Sequence, residues 1–257
     1  MIVALRVLEA NARVYKRTWK GSAMTAFLSP VLFLLAMGLG LGSLIDRNPA
    51  TDGLGGVSYV SFIASGLLAA TAMQTGAAEG SWPVMAGIKW LKTYHAALAT
   101  PVRVGDLVTG NLLWMGVRVT LSAGAFAIVS AALGALSPIE VLAALPAAVL
   151  TGMSLAAPVT AYTAVAKDET RLSSLFRFVV LPMFLFSGTF FPIEQLPGWL
   201  QPVALVTPLW HGVELTRAAA LGFETAFPAV VHFSYLTVWT AAGWVLAGRT
   251  LHRRLQP

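Results

Sequence analysis

Arg118 is the residue whose chemistry is hardest to place. It falls inside a stretch, about 108–134, that otherwise carries no charge. A cation at membrane depth is costly and often marks a substrate path or a gate. The bland alternative is that Arg118 snorkels to the nearer surface. The four histidines, His95, His211, His232 and His252, make no metal-ligand spacing. His211 and Glu214 share a helix turn, a common pairing that carries no catalytic assignment. Glu214 and Arg217 are spaced i, i+3 for an ion pair. Phe184, Phe186, Phe190 and Phe191 cluster where they would line an amphiphile path, face lipid or simply pack. The chain has no cysteine, which excludes disulfides and thiolate metal sites. It has no G-x-x-x-x-G-K-[ST] pattern and so offers no P-loop for ATP. Gly38, Gly40 and Gly42 resemble a nucleotide loop only superficially, because in an apolar stretch small residues serve close helix packing.

The elements that must hold these residues are membrane helices. Hydrophobic residues make up 57% of the 257 and charged residues 11%, where a soluble domain carries about 25% charged. Mean hydropathy is +0.74. A helix needs about 18 or more apolar residues to cross the hydrocarbon core. On that criterion the sequence reads as one all-α membrane domain, 1–257, with six spans near 25–45, 57–78, 108–134, 141–165, 172–191 and 228–249. The charged first 20 residues do not read as a cleavable signal. Six spans place both termini on one side, and that side receives 14 of the 17 Lys and Arg residues. The excess predicts cytoplasmic termini. Only Arg47 and Arg217 fall on the other side.

Three segments are neither span nor simple loop. Arg6, Glu9, Arg13, Lys16 and Lys20 form one stripe of residues 1–22, with Leu5, Leu8, Ala12, Tyr15 and Trp19 on another face. That pattern predicts an interfacial helix. Between spans two and three, Pro83 suits a helix first turn and Thr100-Pro101 a helix end. The intervening helix, about 83–98, carries Trp82, Met85, Lys89, Trp90 and Tyr94, and either docks on a partner or lies on lipid. After span five, Pro192, Pro197, Pro202 and Pro208 break an apolar segment, 192–223, into short pieces. It reads as a re-entrant or surface-lying helical pair, buried in protein or at the interface. Glu194, His211, Glu214 and Arg217 would sit at its outer mouth.

This order of parts resembles the membrane subunits of ABC type-2 exporters, nearest to the nodulation lipo-oligosaccharide and daunorubicin-resistance permeases. The text that carries the resemblance is Leu34-Leu35-Ala36-Met37-Gly38-Leu39-Gly40-Leu41-Gly42, then Gly55-Gly56-Val57-Ser58-Tyr59, and later Phe186-Ser187-Gly188-Thr189-Phe190-Phe191-Pro192-Ile193-Glu194-Gln195-Leu196-Pro197. Pro208-Leu209 with His211 and Arg217 completes it. The resemblance implies a dimer, of two copies or with a homologous permease, in a bacterial inner membrane. It implies two separate ATPase subunits that bind the ATP and Mg, with no cofactor on this chain, no catalysis by it and no nucleic acid partner. It makes 83–98 the coupling helix that docks on the ATPase, with Glu79 just before it and Lys167, Asp168 and Glu169 as a second contact. The substrate would be an amphiphile: a lipo-oligosaccharide, a lipid-linked glycan or a drug. It would pass between subunits near spans two and five, past Arg118 and the phenylalanines. A lipid-modifying membrane enzyme is the rival from another class.

Overall fold

The computed structural model describes residues 2–42 and 56–256, whose regular structure is entirely helical. Residues 43–45 of the expected first span, Arg47 and Gly55 lie outside the described residues. Helix α1 is Ile2–Leu35 and continues as wider π turns over Ala36–Gly42. Helix α2 is Tyr59–Met85, extended by π turns to Trp90. A short α3, Thr93–Leu98, is followed by α4, Val104–Ala132, and α5, Pro138–Val165. Helices α6, Glu169–Leu175, and α7, Leu181–Phe186, are joined by a π segment, Phe176–Val180. A 3-10 turn at Ile193–Gln195 leads to α8, Gln201–Leu205, α9, Pro208–Leu221, and α10, Ala229–Leu255.

Among the described residues, four helices are long and apolar enough to cross a membrane: Tyr59–Trp90, Val104–Ala132, Pro138–Val165 and Ala229–Leu255. They correspond to the expected spans two, three, four and six. Local chemistry sets their starts. Ser137 caps α5 by accepting from Glu140 N, and Glu140 returns the contact to Ser137 N. Pro138 fills the first helical position, where no N–H is required.

Three expectations need correction. The segments 1–22 and 25–45 are not two helices; α1 runs unbroken through both as far as Leu35. Gly21 alone is too weak a breaker to separate them. The helix expected at 83–98 does not begin at Pro83, because α2 continues through that proline. The break comes at Leu91–Lys92, where Lys92 adopts a left-handed φ of 52°. The segment 172–191 is helical only to Phe186 and carries Arg177 within its π turns. Gly188, at φ 80°, turns the chain out of the helix. Phe190 and Phe191 therefore leave the helical rod.

Helix α2 lies at the centre, and the spanning window of its 32-residue rod is 72% buried. Its Gly76 and Gly80 form a small-xxx-small face against Gly152 and Ala156 of α5. A Cβ on Gly76 would strike the Gly152 carbonyl oxygen, and one on Gly80 would lie 2.6 Å from the Ala156 oxygen. The two backbones touch, which is how membrane helices gain packing energy without a hydrophobic drive. Thr163 of α5 donates to the Gly80 carbonyl at 2.9 Å and fastens the crossing. On the far face of α5, Gly243 of α10 packs on the ring of Pro158, and Gly212 of α9 packs on Thr151.

Two ends of the bundle can be told apart. At one, Val84, Ile88, Tyr94, Val104 and Leu107 share a core with Leu251 and Leu255 of α10, and Val7 of α1 packs against it. Both ends of the described chain therefore meet the 86–104 connection. At the other end, Phe62, Ala135, Leu136, Val141 and Ala220 form a second core, with Phe33, Phe190 and Phe223 packed against it.

Candidate functional site

Glu79 and Arg118 find each other across α2 and α4. Arg118 Nε donates to Glu79 Oε1 at 2.8 Å, with side chains 19% and 15% exposed. The guanidinium lies over the Tyr15 ring of α1, 4.4 Å from its centroid. Tyr15 in turn meets Trp114 edge-on at 5.6 Å. Each charge is costly alone at this depth and tolerable as a pair. The residue expected in the path is thus locked to the residue expected beside the docking helix. Both line a cavity of about 650 Å³ between α1, α2 and α4.

At the end of the bundle that holds both chain ends, α2 stops against the start of α6. Lys89 Nζ and Trp90 Nε1 each donate to Glu169 Oε1 at 3.1 Å. The backbone N–H at the helix start, followed by Lys89, holds the Glu169 carboxyl below the usual carboxylate range. Asp168 caps α6 by accepting from Arg171 N at 3.1 Å. Trp82 stacks on Phe176 with ring centroids 6.5 Å apart. The two segments singled out in the sequence, 82–94 and 167–169, therefore meet at one surface. Trp90 is 50% and Leu91 72% exposed there, and Lys167 is also exposed. Three expected members are absent from it, the first being Glu79, which is turned to Arg118 in the cavity. Met85 is buried, and Tyr94 is folded inward with its ring against Gly87, where no side chain blocks it.

The opposite end holds a second polar group. Arg217 does not pair with Glu214. It donates to the Gly188 carbonyl at 2.6 Å and to that of Thr189 at 3.2 Å, and its guanidinium lies 3.7 Å from the centre of the Phe62 ring. Glu214 accepts from Ala226 N at 3.0 Å, and burial pushes its carboxyl above the ordinary value. The turn at Gly188 frees those carbonyls and draws the arginine to them. Glu194, Glu214 and Arg217 still line one cavity of about 430 Å³, together with Glu224. His211 stands apart: its Nδ1 lies 2.9 Å from His232 Nδ1, and its ring stacks on Tyr235.

Residues 6–221 match the pattern of the family described as ABC-2 type transporter. The chain belongs to that family. Among its relatives, Nodulation protein J of Rhizobium meliloti (strain 1021) is 31% identical over 253 residues, covering 98% of this chain and 94% of that protein. Nodulation protein J of Rhizobium leguminosarum bv. trifolii is 31% identical over 241 residues, 92% of this chain and 89% of that one. The Sinorhizobium fredii (strain NBRC 101917 / NGR234) protein of the same name is 32% identical over the same shares. This ABC-2 chain is therefore the multi-pass membrane subunit of an ABC transporter, and its role is transport.

Within the ABC-2 chain the phenylalanines divide. Phe184 and Phe190 meet edge-on at 5.1 Å and pack on the core, with Phe33 tilted against Phe190. Phe186 is 37% exposed and Phe191 is partly buried. Two features escaped the sequence reading. The His211–His232 contact joins residues on different elements, so no local spacing announces it. The Gly76–Gly80 face is a G-x-x-x-G pattern that the expected span, ending at residue 78, divided.

Proposed function

We propose that this chain is the permease of an exporter whose ATP is bound and hydrolysed, with Mg, by a separate ATPase subunit. The surface formed by Trp82, Lys89, Trp90, Leu91, Lys167 and Glu169 receives that subunit. The observation that carries the reading is the joining of Lys89 and Trp90 to Glu169 at one exposed end of the bundle. It ties the foot of central α2 to the foot of the α6–α7 rod. A push on this junction moves both segments together, which is what coupling requires. The same end carries both ends of the described chain and most of the basic residues, in keeping with a cytoplasmic placement.

The α6–α7 rod and α1 complete six spans in this reading. One face of the rod is left apolar: Phe178 is 71% and Leu181 50% exposed. A second copy, or a homologous permease, packs on that face and closes the path between subunits. The substrate is an amphiphile, and the resemblance to the nodulation lipo-oligosaccharide permeases favours a lipo-oligosaccharide over a drug. The membrane is the bacterial inner membrane.

The test is coupled ATP turnover in vesicles holding the chain with its ATPase. Trp90→Ala should lower complex affinity by about thirtyfold, the loss of one buried aromatic anchor. Trp199→Ala, at the other end and 74% exposed, should change nothing. Equal coupled turnover in wild type and Trp90→Ala would remove the docking assignment. Lipid turnover by the isolated chain would favour a membrane enzyme instead.

A further inference from the structure

We propose that the cavity between α1, α2 and α4 is a binding site for an amphiphile with an anionic head group. The charges of the site stand at one end and apolar side chains reach the other, with the uncharged polar groups of Thr71, Gln74, Thr75 and Ser122 along the α2 and α4 walls. Lys16, Glu79 and Arg118 stand at the first end; Ala26, Phe27 and Ala125 line the second. Tyr15 supplies an aromatic face at the charged end, under the Arg118 guanidinium, and Trp19 another between the two ends, both of the kind that sit at head-group depth. Residues 16 to 27 of α1 cover about 16 Å at 1.5 Å per residue, enough for a head group and the start of one chain. The volume of about 650 Å³ accommodates the same portion.

The sign of the head group follows from the charges. Glu79 neutralises one cation, and Lys16 leaves a net positive end. Glu79 engages only Nε of Arg118, and no other hydrogen bond from that guanidinium is present among the described residues. The two terminal nitrogens are free to take phosphate or sulfate oxygens bidentately, as guanidinium geometry favours. Lys16 is exposed and forms no ion pair among the described residues. One ligand would thus join α1 and α4, the helices that carry the two cations, beside Glu79 of α2. Its binding does not depend on the exporter reading; only its fate does.

The probe is brominated phosphatidylglycerol mixed into phosphatidylcholine vesicles holding the full chain. Trp19 lines the cavity, and its share of the fluorescence is the difference between wild type and Trp19→Phe. Bromine should quench that share at a mole fraction about fivefold lower for phosphatidylglycerol than for brominated phosphatidylcholine. Lys16→Gln should abolish the preference. Lys20→Gln removes the same charge one turn away, outside the cavity, and should preserve it. Ala26→Trp fills the apolar end and should protect Trp19 from both lipids. Equal quenching by the two lipids, or equal effects of Lys16→Gln and Lys20→Gln, would overturn the site. A second arm adds the ATPase, ATP and a head-group-labelled phosphatidylglycerol. Label that reaches the other leaflet marks a transported ligand, and label that stays marks a resident lipid; both require the site. If quenching fails while ATP-driven transport persists, the site is wrong and the exporter reading stands.

Discussion

Gly76→Val is expected to destabilise the fold by about 3 kcal/mol or more, because there is no space for a side chain where α2 crosses α5. The new Cβ would collide with the Gly152 carbonyl, a backbone atom that no rotamer change can move. Relief requires parting the two helices, which would also strain the Thr163 bond to Gly80. Gly124→Val is the matched control, since nothing lies within 4 Å of a Cβ there. Both substitutions place a β-branched residue in a long helix, so propensity cancels in the comparison. Thermal melting of the purified chains in detergent should show a large loss for Gly76→Val and little for Gly124→Val. Similar melting for the two would mean the crossing is not this close.

The second large effect concerns the charge pair. Glu79→Gln leaves Arg118 with its cation in an apolar setting and should cost about 2–3 kcal/mol, at the lower end for a buried pair because both side chains keep some exposure. Arg118→Leu should cost a similar amount by stranding the carboxylate. The double variant Glu79→Leu with Arg118→Leu removes both charges and should recover most of the loss. Chemical unfolding of the four chains gives the coupling directly. Additive losses would show that the two residues do not depend on each other, against the 2.8 Å bond between them.

The same pair shows where the sequence could and could not be read. Spans three, four and six were legible because each is apolar over a membrane's thickness, with Arg118 the single charge inside span three. Span two was cut short at residue 78 because Glu79 reads as a boundary. Its partner lies 39 positions away on another helix, and only the fold neutralises it. Pro83 reads as a helix start by the rules of soluble proteins, yet α2 passes through it, as membrane helices allow. Gly188 was legible as part of a family pattern but not as a left-handed turn. That turn decides that Arg217 takes backbone carbonyls and not Glu214. At the end where α2 meets α6, the aromatic density between residues 82 and 94 was readable. Which of those side chains face outward was not, because Tyr94 turns inward only where Gly87 leaves room.

On the proposed function, a separate ATPase docks at the end of the bundle where α2 meets α6. The absence of native cysteine lets a single introduced thiol report on one position. Leu91→Cys stands at that end, 72% exposed, and Trp199→Cys stands at the other, 74% exposed. Each is co-expressed with the ATPase in native membranes and treated with a short thiol-to-amine crosslinker. The account predicts an ATPase adduct from position 91 and none from position 199. An adduct from 199 without one from 91 would contradict it.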